Sequence, residues 1–331
     1  MLIDRRSALV LIGLMPSLAR AQQSAGPLAA VLESAAALQP LRTVVVALDG
    51  GIVAERGYRG HRTTAPANIK SASKSVISAL VGIAIDKGVL EGVDQKIAPL
   101  LRRDLPPNPD PRIERITIGN LLSMQAGLGR MSGPNYGAWV SSRNWVRAAL
   151  AAPFDDDPGG AMLYSTASTH LLSAILTRRS GRSTRELARE WLGPQKDFAI
   201  TAWDRDPQGI YLGGNQMAMS PRSLSLFGEL YRNGGVTPDG VRLLPADWIG
   251  QSWQPRTRSP FNGYHYGYGW FIHRIGGEEV RFAWGHGGQM LYIVPQLRLT
   301  VVMTSDESVR SAANGYRNKL NRLLADIMET I

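Results

Sequence analysis

Between Ser73 and Lys87 the apolar residues Val76, Ile77, Leu80, Val81, Ala84 and Ile85 recur at three- and four-residue intervals. That is the period of one helix face, and Gly88 stands where such a helix ends in a left-handed residue. The pattern predicts a mostly buried helix over 73–87. Ahead of it, LRTVVVALDGGIVAERGYRG (41–60) holds two β-rich runs around Asp49-Gly50-Gly51, a hairpin signature because glycine accepts positive φ. From about 89 to 230, helical patterns broken by proline and glycine dominate, as in ITIGNLLSMQAGL, HLLSAILTRRSG and PRSLSLFGELYRNGG. β-rich composition returns in YGYGWFIHR, VRFAWGHGGQMLYIVP and LRLTVVMTSD, and NGYRNKLNRLLADIMETI closes the chain as a helix. Strands at both ends with helices between them predict an α+β chain: one antiparallel sheet flanked by helices, with an inserted, mainly helical lobe. The sheet lobe is expected from about 40–88 and 235–331, and the helical lobe from about 89–234. Neither an internal repeat nor a low-complexity linker interrupts this plan, which argues for a single catalytic-sized unit over 22–331.

The first residues depart from it. MLIDRRSALVLIGLMPSLARAQQ pairs Arg5 and Arg6 with an apolar run from Ala8 to Leu14 and an Ala19-Arg20-Ala21 cleavage site before Gln22. It reads as a signal peptide over 1–21, of the twin-arginine or the general secretory type. The apolar run is too short for a stable membrane anchor. The expected location is periplasmic or secreted; the other reading of the segment is a frayed amphipathic helix.

Composition narrows the chemistry. Of 331 residues 44% are apolar and 19% charged, as in ordinary globular protein. No cysteine is present, which removes disulfides, thiolate metal sites, cysteine nucleophiles and lipid attachment through an N-terminal cysteine. The net charge is +10; residues 1–21 carry three arginines and one aspartate, so the mature chain keeps +8. That excess is scattered, without the basic stripe a nucleic-acid partner needs. His61, His170, His265, His273 and His286 are dispersed without an H-E-x-x-H motif, so no metal and no cofactor is expected. His265 and His273 flank an aromatic stretch and read as structural.

A serine nucleophile is the remaining candidate. In IKSASKSVISALVGIAIDKG (69–88), Ser71 and Lys74 lie at i and i+3 at the head of the predicted helix, on one face. Unpaired amide hydrogens and the positive helix end favour negative charge near the serine oxygen. A lysine desolvated there has its pKa lowered, making a neutral amine available to take the serine proton. Alone, the pair is equally an N-cap and a snorkelling surface lysine. Tyr164, in MLYSTASTH, adds a phenol able to share a proton with that lysine, or else a core aromatic at a helix start. In WGHGGQM (284–290), Gly287 and Gly288 let a strand lie close against substrate. The amides of Ser71 and Gln289 then form an oxyanion hole; His286 is otherwise a turn histidine. No G-x-S-x-G elbow occurs. Tyr264, Tyr266, Tyr268 and Trp270 alternate along one stretch and are expected on one strand face, lining a pocket or forming a core ladder.

In this order the motifs resemble the serine β-lactamase and penicillin-recognising superfamily, in its class-C-like esterase, D,D-peptidase and 6-aminohexanoate-dimer hydrolase branch. The likeness extends to VDQKIAPLL (93–101), ITIGNLLSMQAGL (116–128), YSTASTHLLSAILTRRSGRS (164–183) and DPQGIYLGGNQMAMSPRSLSLFGELYRNGG (206–235). It implies a β-lactamase/transpeptidase-like fold and a serine hydrolase acting on small molecules or short peptides. Ser71 is then the acylated nucleophile, Lys74 its proton acceptor, Tyr164 the acid/base partner, and Ser71 with Gln289 the oxyanion hole. Thr166, His286, Gly287 and Gly288 contact substrate. Two positions depart from the family pattern. Thr166 stands where an asparagine is usual, and His286, mostly neutral at pH 7, replaces a lysine that would bind a carboxylate. Both favour esters or less anionic amides over a D,D-peptidase or weak class C β-lactamase activity. A non-catalytic penicillin-binding-like envelope module is the alternative of another class. The loops around 130–160 and 203–217 are expected to shape the pocket.

Overall fold

The computed structural model describes residues 26–309 and 315–331; the signal peptide expected over 1–21 lies outside the described residues. In chain order the strands are β1 (Leu41–Leu48), β2 (Gly51–Gly57), β3 (Ala67–Asn68), β4 (Ala202–Trp203), β5 (Met217–Met219), β6 (Thr257–Arg258), β7 (His265–Tyr266), β8 (Phe271–Ile275), β9 (Glu278–Gly285), β10 (Gln289–Val294) and β11 (Leu299–Ser305). Asp49 and Gly50 turn β1 into β2 with φ of 53° and 89°, the mirror-image turn whose twist matches its strands. The other edge of β1 pairs antiparallel with β11, Val45 facing Val302 across the ladder. The early hairpin thus joins the late strands in one eight-stranded sheet, ordered β2-β1-β11-β10-β9-β8-β7-β6. β3, β5 and β4 form a separate three-stranded sheet.

Period-two alternation splits the main sheet between two cores. Val44, Val46, Tyr292, Val301 and Met303 face an outer core that α1 (Pro27–Ser34) and α11 (Tyr316–Met328) close with Leu32, Leu320, Leu324 and Ile327. Val45, Leu291, Ile293 and Val302 face an inner core shared with α2 (Ser73–Asp86). Fully burying each such aliphatic side chain contributes about 1.5–3 kcal/mol. The helical lobe follows α2 as α3 (Ile97–Leu100), α4 (Ile118–Leu122), α5 (Tyr136–Val140), α6 (Trp145–Leu150), α7 (Thr166–Ser180) and α8 (Thr184–Trp191). α9 (Pro221–Arg232) falls in the sequence range expected for that lobe, yet packs on β1, β10 and β11. Its apolar stripe, with Leu224, Phe227 and Leu230, is the cover for the inner sheet face. α10 (Ala246–Ser252) leads into β6.

Every residue of α2 from Ser73 to Ala84 is buried, so its polar side chains need partners. Ser75 Oγ donates to the Gly269 carbonyl at 2.6 Å and Ser78 Oγ to that of Tyr268 at 2.7 Å. These bonds pin the 267–270 segment and break up the expected aromatic face. Tyr264 and Tyr266 enter the outer core, Tyr268 and Trp270 the inner one. The chain crosses between cores after β7, which is only two residues long, and none of the four lines the cleft described below.

Candidate active site

Ser71 sits in a single 3-10 turn, Lys70–Ala72, which runs directly into α2. The helix proper therefore starts two residues later than Ser71 itself. Lys70, just before it, has a left-handed φ of 50°, a costly conformation for a residue with a Cβ that neighbouring bonds must hold. Its amide donates to Asn68 Oδ1 at 3.0 Å, and its Nζ reaches Glu307 Oε2 at 2.6 Å and Gln216 Oε1 at 3.0 Å. The strained turn aims Ser71 into a cleft of about 660 Å³.

Lys74 Nζ lies 3.0 Å from Ser71 Oγ, 2.7 Å from the Gly214 carbonyl and 3.3 Å from Thr166 Oγ1. The residue is 2% exposed, and among the described residues no carboxylate pairs with it. Desolvation lowers its pKa to about 7, so near neutral pH much of the amine is uncharged. Gly214 completes this socket. A Cβ at its position would stand 2.8 Å from Lys74 Cγ and 3.1 Å from Nζ, and its φ is 82°.

Tyr164 immediately precedes α7 and is half-buried. Its ring stacks on Phe271 with centroids 6.0 Å apart and meets the edge of Tyr266. Burial pushes the phenol well above its ordinary value, while a hydrogen bond with Ser71 pulls the other way. Ser71 therefore lies between a phenol that keeps its proton and an amine able to take one. Lys74 Nζ is 5.0 Å from the Tyr164 ring centroid. Thr166, the first residue of α7, extends the contacts: its Oγ1 is 3.0 Å from Ser132 Oγ, and its amide donates to that oxygen at 2.8 Å. Ser132 was not among the residues expected from sequence.

His286 lines the cleft, but the glycines after it do not. They belong to the turn joining β9 to β10, with φ of 80° and 97°. A Cβ on Gly287 would meet Asp306 O and Glu307 Cα at 2.7 Å, and one on Gly288 would meet Leu320 and Tyr316 at 2.9 Å. Gly287 and Gly288 make room for the protein's own residues 306–307 and α11. Gln289 is buried, its carboxamide donating to the Ser305 carbonyl at 2.8 Å and accepting from the Ser305 amide at 3.2 Å. Its side chain is therefore not free for a substrate. Gln289 pairs with Gly285, whose Cα packs against the carbonyl of Ile69, two residues before Ser71.

Both loops expected to shape the pocket reach it. One brings Arg130, Ser132, Gly133 and Tyr136, the other Asn215. A third loop, carrying Ser259, Phe261 and Asn262, gave no sequence signal, and neither did the wall residues Phe271 and Trp284. The Asn215 loop is tethered by a buried pair. The Gly213 amide donates to His170 Nδ1 at 3.3 Å, so Nε2 carries the ring proton and donates to Asp206 Oδ2 at 3.1 Å. Asp206 Oδ1 accepts from the amides of Gln208 and Ile210, each at 2.8 Å. Among the described residues no group of histidine, aspartate or glutamate side chains is placed to hold a metal ion, and no helix is long and apolar enough to cross a membrane.

Comparison with known proteins agrees with this architecture. A Dichelobacter nodosus protein named as a probable fimbrial assembly protein FimD, serogroup H1, is 32% identical over 149 residues, covering 43% of this chain and 37% of that protein. The match thus spans well under half of that relative's length. Among solved structures, EstCE1, a hydrolase with promiscuous acyltransferase activity, superposes with a TM-score of 0.72 at 18% identity, over 92% of this chain and 97% of its own. The D-amino acid amidase from Ochrobactrum anthropi SV3 gives 0.71 at 15% identity, over 92% and 100%. At these identities the likeness establishes a common fold. The Beta-lactamase family model matches residues 35–326, nearly the whole length over which the sheet, the helical lobe and the Ser71 cleft are built, and the chain belongs to that family.

Proposed function

We propose that the chain is a serine hydrolase cleaving ester or amide bonds of small molecules or short peptides through an acyl-enzyme on Ser71. The observation that carries this reading is the buried Lys74 amine, 3.0 Å from the Ser71 oxygen and, among the described residues, without a counter-ion. As Ser71 Oγ attacks the substrate carbonyl carbon, its proton passes to Lys74 and the carbonyl electron pair moves onto oxygen. The backbone amides of Ser71 and Gln289 hold that oxyanion. Its collapse breaks the bond to the leaving group, which takes the Tyr164 proton, and the Lys74 ammonium then returns its proton to the phenolate. Water then repeats the attack on the acyl-enzyme and frees the serine. A solved structure named as a D-amino acid amidase and another named as a hydrolase with promiscuous acyltransferase activity support an acyl-transfer reaction.

Incubation with a fluorophosphonate, read by intact-mass spectrometry, tests the reading alongside hydrolysis of a nitrophenyl ester. Wild type should gain one covalent adduct and turn the ester over; Ser71→Ala should do neither. Folded wild type that is unlabelled and inactive would favour a binding module instead. The segment over 1–21 supports a periplasmic or secreted enzyme. Protein recovered from the cell envelope should begin at Gln22 on N-terminal sequencing, and full-length protein confined to the cytoplasm would refute export.

A further inference from the structure

We propose that the cleft selects substrates bearing a carboxylate, with the Arg130 guanidinium as its anchor; this rests on the hydrolase reading and deepens it. Among the described residues the cleft wall carries two permanent cations, Lys70 and Arg130, together with His286, and neither an aspartate nor a glutamate. A site of that composition attracts negative charge. Lys70 is already committed, its Nζ held by Glu307 and Gln216. Arg130 is not: among the described residues it forms no ion pair.

What holds Arg130 leaves its charge available. Its Nε donates to the Tyr164 carbonyl at 3.3 Å, and its guanidinium lies 4.6 Å from the centroid of Phe261. The first bond fixes the group against the backbone of the tyrosine that contacts Ser71; the second orients it by a cation–π contact. Among the described residues Nη1 and Nη2 bond no other side chain or carbonyl. A planar fork with free donors is the geometry a carboxylate takes bidentately. Tyr136, Phe261, Phe271 and Trp284 line the same cleft, leaving the polar recognition there to a few groups. His286 in place of a lysine favours less anionic substrates by sequence alone, but here a different loop returns a permanent cation to the same cleft.

Matched ester pairs test this. Mono-4-nitrophenyl glutarate is compared with 4-nitrophenyl valerate for a carboxylate on the acyl side, and 3-acetoxybenzoate with phenyl acetate for one on the leaving group. In wild type at low salt, kcat/KM for at least one anionic member should exceed its neutral match by roughly 10- to 100-fold, the scale of a charged hydrogen-bonded pair. Arg130→Gln should bring that ratio to about one, and Arg130→Lys should keep an intermediate preference, having charge without the fork. If Arg130 only braces Tyr164 or Phe261, Arg130→Gln slows both members alike and the ratio stays, which overturns the proposal. Equal use of both members by wild type overturns it too, while Ser71-dependent turnover would leave the hydrolase reading intact. Binding of monomethyl glutarate to Ser71→Ala by calorimetry reads the anchor without turnover. It should weaken at least about tenfold on adding Arg130→Gln, and an unchanged affinity overturns the proposal even if no ester is cleaved.

Discussion

An amine taken out of water beside a serine destabilises the fold wherever the same amine would be protonated in the unfolded chain. For Lys74 the unfolded value is 10.5 and the folded one about 7. Between those pH values the unfolded chain binds the extra proton, so stability rises with pH across that window, and below about 7 the full penalty persists. At about 1.4 kcal/mol per pKa unit the penalty is on the order of 4–5 kcal/mol, reduced by the bond to Gly214. Lys74→Met should therefore raise the melting temperature at pH 6, and the gain should shrink toward pH 10. A melting temperature lowered at both pH values would show that the amine's hydrogen bonds outweigh its desolvation. Reactivity moves the opposite way. Since the base must be uncharged, kcat/KM should climb through about pH 7. Lys74→Ala and Tyr164→Phe should each cut kcat by roughly 10²–10⁴, the scale of a positioned acid or base. Near-wild-type turnover in either variant, with circular dichroism unchanged, would remove that residue from the relay.

At the level of elements, the socket for Lys74 depends on how α2, α7 and the loop before β5 are held together. Asp206 ties that loop to α7 through His170, and both side chains are fully buried. Asp206→Ala leaves an imidazole N–H and two amides unpaired, and should cost about 3 kcal/mol of stability. Urea titration with unchanged m-value would measure it; a loss under 1 kcal/mol would mean water replaces the carboxylate. Gly214→Ala acts locally, since its Cβ presses on the Lys74 amine. It should lower kcat by about 10- to 100-fold through misplacement of the base, and lower the melting temperature by a few degrees because alanine is strained at a φ of 82°. These dependencies explain what the sequence reveals. Ser71 and Lys74 share one helical face, so their meeting follows from local spacing, and the hairpin at Asp49-Gly50 follows from two φ values. Tyr164 is legible as a candidate because it stands in MLYSTASTH, directly ahead of the helical run that becomes α7. Arg130, Ser132 and Phe261 are not, because they lie on loops whose course is set by tertiary contacts. Strands as short as β6 and β7 are too brief for alternation to register, which is why the aromatic run looked like one face.

Considered as a whole, the molecule brings its site together from segments spread across the chain: α2 near the start, α7 in the middle, the β9–β10 turn near the end. The outer core supports that arrangement, with Phe271 reaching from it to the cleft wall and Tyr164 and Trp284 packed against it. Leu324, on α11, is 0% exposed and packs in the core beneath β1, β10 and β11, yet α11 contributes nothing to the cleft wall. Leu324→Ala removes buried methyl groups and leaves a cavity, a change that costs about 2–5 kcal/mol. Because the sheet carries the β9–β10 turn and braces the Lys70–Ala72 turn, unfolding at one place dissolves the other. The two properties should nevertheless separate below the transition. At 15 °C Leu324→Ala should hydrolyse esters with kcat and KM within about twofold of wild type, since packed elements transmit little while the native state is fully populated. Its melting temperature should drop by several degrees, and activity should vanish along the same curve as the circular dichroism signal. If activity were lost well below the structural transition, the inner lobe and the outer core would be opening separately, and the continuity of the sheet would not be what keeps the serine, the amine and the phenol in register.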